Sequence, residues 1–475
     1  MKVIKFGGSS LADAKQIRKI CSIILSDSQR RIVVVSAPGK RHNDDTKVTD
    51  LLIHLAETCR DGGDTEHALE LVVERYAGIA KDLNLGKEIV QTIKNDLVSR
   101  MRSNLESYEM FVDLLKAAGE DNSAKLVACY LQSIGENAEY IDPKEAGMFL
   151  SNEFGNAQVL SHSYDLLARL AERNTIMIFP GFFGYSDSGD VVTFSRGGSD
   201  VTGGVLAAAV NADVYENFTD VDFVYAANPK LIENPFPIPL FTYEEMRELS
   251  YAGFNVLHEE ALAPVYKKGI PVNIRNTNNP DAPGTFIVPD KRAPKPTLPV
   301  AGIAADTGFI TIHVYKYMMN RLIGYARKLL SVLEEEGIAF EHMPSGIDSI
   351  SLIIREKHCP PEKLERIVEK YKQLDADSVT VDQDQAIVML VGRGMTKTVG
   401  VAMRATAAFS KAKINIRMIN QGSSEVSIMF GVEAKDAKAS VIALYNEFFN
   451  SLSFCRKLLT PAAVFSKYCR KAVYT

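Results

Sequence analysis

The chain has 475 residues, of which 46% are apolar and 24% charged, and carries a net charge of −5 at neutral pH. That length exceeds one ordinary domain and predicts about two to four. The composition is that of a soluble globular protein; it lacks the basic excess of a nucleic-acid binder, and no apolar run is long enough to span a membrane, so neither partner is expected.

Lys2 to Ser10, KVIKFGGSS, reads as a strand, a Gly7-Gly8 turn and a serine cap. An amphipathic helix over 12–25 follows, with Ile17, Ile20, Cys21 and Ile24 at helical spacing. Strand, glycine turn and helix is how backbone N–H groups cradle phosphate, and Lys5 lies at the strand end where its ammonium can meet one. Neither GxxxxGK[ST] nor GxGxxG is present, so P-loop and Rossmann chemistry are not implied. The β-branched run 31–36 suits a strand buried on both faces of a parallel sheet. After a polar loop a helix opens near Val48, with Thr49 and Asp50 at its start. Residues 55–118 are helical in period, broken at Gly62-Gly63 and Leu85-Gly86. Gly119-Glu120-Asp121-Asn122 is expected to interrupt them and open a new helix over 125–132, since these residues cap well. A strand over 139–142, an edge strand over 156–160, a helix over 164–173 and a strand over 175–184 complete this stretch.

Thr193 to Asp200, TFSRGGSD, then leads into the apolar helix 201–212. Gly197 and Gly198 let backbone approach a ligand closely. Arg196 can fork onto a carboxylate or phosphate, Asp200 can orient a cation, and the helix start offers free N–H groups to an anion. A strand over 213–218 ends at Thr219-Asp220, and a short acidic helix covers 243–251. Asp290 to Pro299 holds three prolines and four charges, a linker composition. Beyond it the pattern strand, helix, strand, strand, helix occurs twice, in units of about 70 to 80 residues. Six scattered cysteines (Cys21, Cys59, Cys129, Cys359, Cys455, Cys469) form no CxxC pair, and the N-terminus enters a charged strand instead of a signal peptide. A reducing, cytoplasmic setting is expected, with no zinc site and no metal held by protein ligands.

KFGGSS at 5–10, GED at 119–121, SRGGSD at 195–200 and FTDVDFVYAANPK at 218–230 together resemble the aspartokinases of the amino acid kinase superfamily, over essentially the whole chain. The resemblance implies an α/β fold: an amino acid kinase-like αβα sandwich with a mostly parallel sheet over 1–290, a linker over 291–300, and two ferredoxin-like ACT (βαββαβ) domains. These would be 301–385 and 386–454, with the chain's last strand, within 455–475, completing the first. It implies ATP-dependent phosphorylation of the β-carboxylate of L-aspartate to 4-phospho-L-aspartate, the first step towards lysine, threonine, methionine and diaminopimelate. ATP and Mg²⁺ are the implied cofactors, the ion held mainly by ATP phosphates. Because a carboxylate acceptor is already ionised, no general base is needed, which fits the lack of a catalytic His or Cys signature.

Carried onto this chain, Lys5 and Asp200 are catalytic. Lys5, Gly7, Gly8, Ser9, Thr219, Asp220, Tyr225, Lys230 and Asn255 bind ATP, and Ser36, Thr49, Glu120, Arg196, Gly197 and Gly198 bind aspartate. Met318, Ser345, Ile347 and Asp348 are implied for an amino-acid effector, most plausibly L-lysine, bound between ACT copies in a homodimer or tetramer. The chain departs from the commoner pattern at Lys144, where relatives carry Arg, at Asn255 in place of Lys, and at Lys230 in place of Arg. The competing readings are a glutamate or N-acetylglutamate kinase, and a catalytically weak amino-acid sensor.

Overall fold

The structure, a computed structural model, describes residues 1–103, 106–195, 197–254 and 259–450. In chain order the first half contains β1 (Lys2–Phe6), α1 (Ala14–Leu25), β2 (Arg30–Val35), α2 (Val48–Asp61), α3 (Thr65–Asp82), α4 (Lys87–Met101), α5 (Tyr108–Ser133), β3 (Ala138–Tyr140), α6 (Pro143–Ala146), α7 (Ser163–Leu167) and β4 (Ile176–Pro180). Then come the hairpin β5 (Phe183–Tyr185) and β6 (Val191–Thr193), α8 (Gly198–Ala209), β7 (Val214–Thr219), β8 (Val224–Tyr225), β9 (Pro237–Ile238), β10 (Leu240–Thr242), α9 (Tyr243–Tyr251), α10 (Glu259–Lys268), β11 (Val272–Asn276) and β12 (Thr285–Val288).

Eight of these strands form one sheet in the order β10-β12-β11-β7-β1-β2-β4-β3. All pairs are parallel except β11 with β12. Side chains alternate between faces along each strand. Val3, Ile32, Val34, Met177, Phe179 and Tyr215 face one core, covered by α8 and α10. Ile4, Phe6, Val33, Val35, Ile178 and Phe218 face the other, covered by α1 to α5. The ends of β1, β2 and β7 therefore open onto one rim of the sheet, where ligands of open α/β sheets bind.

Four local expectations are corrected. α5 does not break at Gly119. Its polar residues are held by α4 and by α5's own next turn instead of capping: Asp121 pairs with Arg100 at 2.5 Å and Lys125 at 2.9 Å, and Asn122 donates to Asp96 at 2.9 Å. The N-cap of α1 is Asp13, whose carboxylate accepts from the Gln16 N–H, because Gly8 to Leu11 form a 3₁₀ turn of their own. Residues 156–160 make only an isolated bridge, Leu150 with Val159. The helix expected over 164–173 is α7 followed by a 3₁₀ turn, Ala168–Glu172.

The second half contains β13 (Gly302–Tyr315), α11 (Tyr325–Glu335), β14 (Phe340–His342), β15 (Ser349–Arg355), α12 (Pro361–Gln373), β16 (Ser378–Val391), α13 (Val401–Lys411), β17 (Met418–Asn420), β18 (Ser427–Glu433) and α14 (Ala437–Phe449). They form one antiparallel sheet, β14-β15-β13-β16-β18-β17. β13 and β16 are each 14 residues long and serve both repeats. Phe309 to Tyr315 pair with 378–385 in the first repeat, while Gly302 to Thr307 pair with 386–391 in the second. The first repeat's leading strand is thus flanked on one side by the first half of β16. Residues 455–475 lie outside the described residues. Among the described residues no helix is long and apolar enough to cross a membrane.

The two sheets are joined closely. The Ile303 N–H donates to the Ala226 carbonyl at 2.7 Å, and the Phe236 N–H to the Tyr445 hydroxyl at 2.9 Å. Arg393 donates its N–H to Glu245 at 3.0 Å and its guanidinium to the Pro294 carbonyl.

Candidate active site

A cavity of about 210 Å³ opens at the sheet rim, lined by Lys5, Gly7, Gly8, Ser36, Thr49, Glu120, Phe182, Gly197, Gly198, Ser199 and Asp200. Residues read separately from the sequence converge here: the end of β1, the β2–α2 loop, the first turn of α2, the middle of α5 and the start of α8.

Backbone-to-backbone packing brings them together. The Gly39 N–H donates to the Gly8 carbonyl at 2.8 Å, and a Cβ on Gly39 would stand 2.6 Å from the Gly8 carbonyl carbon. Any side chain there would push the two loops apart. On the opposite wall Gly197 takes φ +81° and precedes α8 with no side chain capping it. A Cβ on Gly198 would stand 2.7 Å from the Phe182 ring. Gly197, Gly198, Ser199 and Asp200 of this helix start all line the cavity, and a helix N-terminus is suited to anions.

Lys5, 8% exposed, contacts Asp200 at 2.5 Å. Asp200 also accepts from Asn217 Nδ2 at 2.8 Å. The acid therefore holds the ammonium at the cavity wall while leaving it donors for a ligand. Across the cavity Glu120 is buried. Its carboxylate receives the Ala37 N–H, while Oε2 has no hydrogen-bond partner. Burial pushes this carboxyl up to about 8, against the Ala37 N–H and the Lys116 and Lys5 ammoniums, which pull it down. A buried carboxylate that lines a cavity with one oxygen unpartnered calls for a cationic partner.

Of the residues expected to bind the nucleotide, Thr219 ends β7 on the same rim, with Asp220 next to it. Thr219 Oγ1 donates to Asp220 at 3.2 Å. Asp220 and Tyr225 line a second cavity of about 860 Å³, with Asp222, Asn276, the segment 294–298 and Arg393. Ser9 and Lys230 are exposed, outside both cavities. Arg196 and Asn255 lie outside the described residues. Lys144, where the chain departs from its relatives, stands over the Tyr185 ring at 5.3 Å, away from both cavities. In the second half, the Lys316 N–H donates to the Asp348 carbonyl at 2.8 Å. That brings the turn of Met318 beside the loop of Ser345, Ile347 and Asp348.

Sequence reading missed Phe182, Ser199 and Asn217. Ser199 lies within a motif already singled out. Phe182 sits at the end of an apolar strand and Asn217 inside one, and neither stands out by type or spacing.

Residues 1–276 match the amino acid kinase family and 388–448 an ACT domain. Aspartokinase 3 of Bacillus subtilis is 52% identical over 94% of this chain and 99% of its own length. The solved aspartate kinase of Clostridium acetobutylicum, described as an allosteric enzyme, superposes with a TM-score of 0.81 at 40% identity, covering 94% of this chain and all of that one (100%). E. coli aspartokinase III with aspartate and ADP (R-state) gives a TM-score of 0.77 at 26% identity, over 94% and 100% of the two chains. With lysine and aspartate (T-state) it gives 0.70 at 25%, over 94% and 99%.

Proposed function

The chain belongs to the amino acid kinase family and, within it, to the aspartokinases, and from that premise we propose how its residues carry the reaction. It is an aspartate kinase, transferring a phosphoryl group from ATP to the β-carboxylate of L-aspartate to give 4-phospho-L-aspartate, in amino acid biosynthesis. The observation that carries the assignment of roles is the small cavity shared by Glu120, whose Oε2 is unpartnered, and the Lys5–Asp200 pair.

Glu120 receives the substrate's α-ammonium, which supplies the partner its carboxylate lacks. Arg196 and the open start of α8, at Gly197 and Gly198, receive the α-carboxylate. Ser36 and Thr49 bound the same cavity and orient the side chain. The β-carboxylate is then directed towards Lys5. The ammonium of Lys5, aimed by Asp200, neutralises charge on the transferring phosphoryl, aided by the N–H groups of Gly8 and Ser9, while the Gly7 N–H donates to the Phe218 carbonyl at 3.3 Å and anchors the turn. Thr219, Asp220, Tyr225, Lys230 and Asn255 hold the nucleotide end. Among the described residues no group of three or more His, Cys, Asp or Glu is arranged to hold a metal ion. A magnesium ion carried mainly on the nucleotide's own phosphates would supply charge withdrawal from the phosphoryl oxygens.

L-Lysine is the proposed inhibitor, acting at Met318, Ser345, Ile347 and Asp348, and the lysine-bound E. coli relative supports this. Exposed Tyr317, Ile323, Phe340 and Ile347 on the first repeat support assembly of two or more copies through that unit. The enzyme is proposed to work in the cytoplasm. Acyl phosphate trapped as hydroxamate, with L-aspartate against L-glutamate, tests the assignment. Turnover with aspartate and none with glutamate is expected; equal turnover would overturn the role given to the cavity.

A further inference from the structure

Lys116 stands on α5 one turn before Glu120. Its Nζ lies 3.0 Å from Asp113 Oδ1 and 3.3 Å from Thr193 Oγ1. It also sits 5.5 Å from the centroid of the Phe182 ring. Asp113 is fully engaged: it accepts from the Gly155 N–H, the Thr193 N–H and the Thr193 hydroxyl, each at 2.8 Å. The ammonium is therefore fixed at three points, an acid, a hydroxyl and an aromatic face. Thr193 is the last residue of β6, three positions before Arg196. Phe182 lines the substrate cavity and takes φ +75°, a region that costs a bulky residue free energy and persists only when its surroundings impose it. Its N–H is held by Thr202 Oγ1 at 3.1 Å, and its ring by Lys116.

We propose that Lys116 is a positioning residue for the amino acid substrate, acting through the Phe182 wall and the Glu120 carboxylate that receive it. The proposal rests on the reading of Glu120 as the partner of the α-ammonium. It separates a residue that tunes the pocket from one that merely ties α5 to β6.

The charges around Glu120 make the effect readable. Lys116 faces it from its own helix, and Lys5 from β1, itself paired with Asp200 of α8. Tyr76 of α3 lies beside it and donates its hydroxyl to the Gly119 carbonyl at 2.7 Å. The Ala37 N–H comes from the β2–α2 loop. Asp96, Asp121, Arg100 and Lys125 form a separate network on the far side of α5. Of the two ammoniums acting on Glu120, Lys5 is committed to the phosphoryl and Lys116 is not. Without Lys116 the carboxylate ionises at higher pH, and binding of the α-ammonium, which needs the ionised form, weakens most on the acid side.

The test compares Lys116→Gln, which keeps hydrogen bonding without charge, and Lys116→Arg, which keeps the charge, in the full-length enzyme between pH 6 and 9. For Lys116→Gln we expect aspartate KM to rise about tenfold at pH 7 and less at pH 9, the ATP KM to stay within about twofold, and the acid limb of kcat/KM for aspartate to move up by roughly half a unit or more. Lys116→Arg recovers most of the loss. A fall in kcat alone, equal at every pH, or an Arg variant as impaired as the Gln variant, would overturn the proposal. Glu120→Gln is assayed beside them. If it leaves aspartate KM at the wild-type value, the reading of Glu120 itself falls. If it abolishes aspartate saturation while Lys116→Gln changes nothing, only the role of Lys116 falls. Thermal unfolding accompanies each variant. Should Lys116→Gln not fold, Lys116→Met takes its place, and failure of both while the Arg variant folds assigns Lys116 a purely structural role.

Discussion

In its proposed role Glu120 must be both buried and charged, and the substrate's ammonium is what would reconcile the two. In the empty protein burial raises its carboxyl from 4.5 to about 8. The folded state then binds a proton that the unfolded chain releases near pH 4.5. The stability this contributes is fully present below about pH 4.5 and is lost as pH rises through about 8. The free enzyme should accordingly lose melting temperature between about pH 4.5 and 8, and Glu120→Gln should flatten that loss, as read by thermal shift. Adding aspartate should restore the wild type at pH 8.5 and leave the variant unmoved. At Asp200 the expectation is different. Asp200→Asn removes the charge that aims Lys5 and should cut kcat by about 10²-fold, with aspartate KM changing much less. Steady-state kinetics decides it; a loss confined to KM would assign Asp200 to substrate binding. These two residues were legible because they lie in short motifs rich in glycine and charge. Phe182, Asn217 and Lys116 were not, because their roles come from what stands opposite them in space.

Among the elements, the central strands are tied by a buried ion cluster that no motif announces. Glu216 of β7 accepts from Arg30 Nε of β2 at 2.6 Å and from Arg275 of β11 at 2.9 Å. Arg30 and Glu216 are only 6% and 3% exposed. Burial pushes the Glu216 carboxyl up, but Arg30 and Arg275 outweigh it and hold it below the usual range. A depressed carboxyl stabilises the fold above its unfolded value and ceases to do so as pH falls through its folded one. Acid should therefore unfold the enzyme partly through this group, and Glu216→Gln should blunt the acid limb of a pH–stability profile. Arg30→Met, which leaves the buried carboxylate with Arg275 alone, should cost about 3 kcal/mol in urea unfolding; a cost under about 1 kcal/mol would show the cluster to be incidental. α5 shows how neighbours override local propensity. The capping residues around Glu120 suggest a break, yet α4 and the next turn of α5 hold Asp121 and Asn122, and the helix runs on for 26 residues. That continuity puts Lys116 and Glu120 on one rigid face.

Across the whole molecule the two halves meet at α9. The hydroxyl of Tyr251 donates to Glu341 of β14, and Arg355 of β15 bonds Asp306 and stands 5.7 Å from the Tyr251 ring centroid. Tyr251 ends α9, and past the segment that follows it, Glu260 of α10 accepts from Ser195 at 3.3 Å, beside the substrate cavity. A shift of β14, next to the proposed effector loop, would bear on that chain of contacts. Tyr251→Phe is expected to raise the lysine concentration for half-inhibition at least several-fold, about 1 kcal/mol of coupling, while uninhibited kcat stays near wild type. Unchanged lysine sensitivity would place the coupling elsewhere, for instance at the Tyr445–Phe236 contact. What the sequence by itself determined is the family's chemistry and the parts: two glycine turns suited to phosphate, an acid directly after Gly119, and a strand–helix–strand–strand–helix pattern that occurs twice. Those signals are local, a few residues whose types and spacing suffice. Only the tertiary structure decided that β13 and β16 are shared between the repeats, that α5 is unbroken, and that Phe182 lines the small cavity with Lys116 against its ring. Strand sharing, helix continuity and pocket walls depend on which distant segments become neighbours, and burial energy summed over the whole chain selects that arrangement.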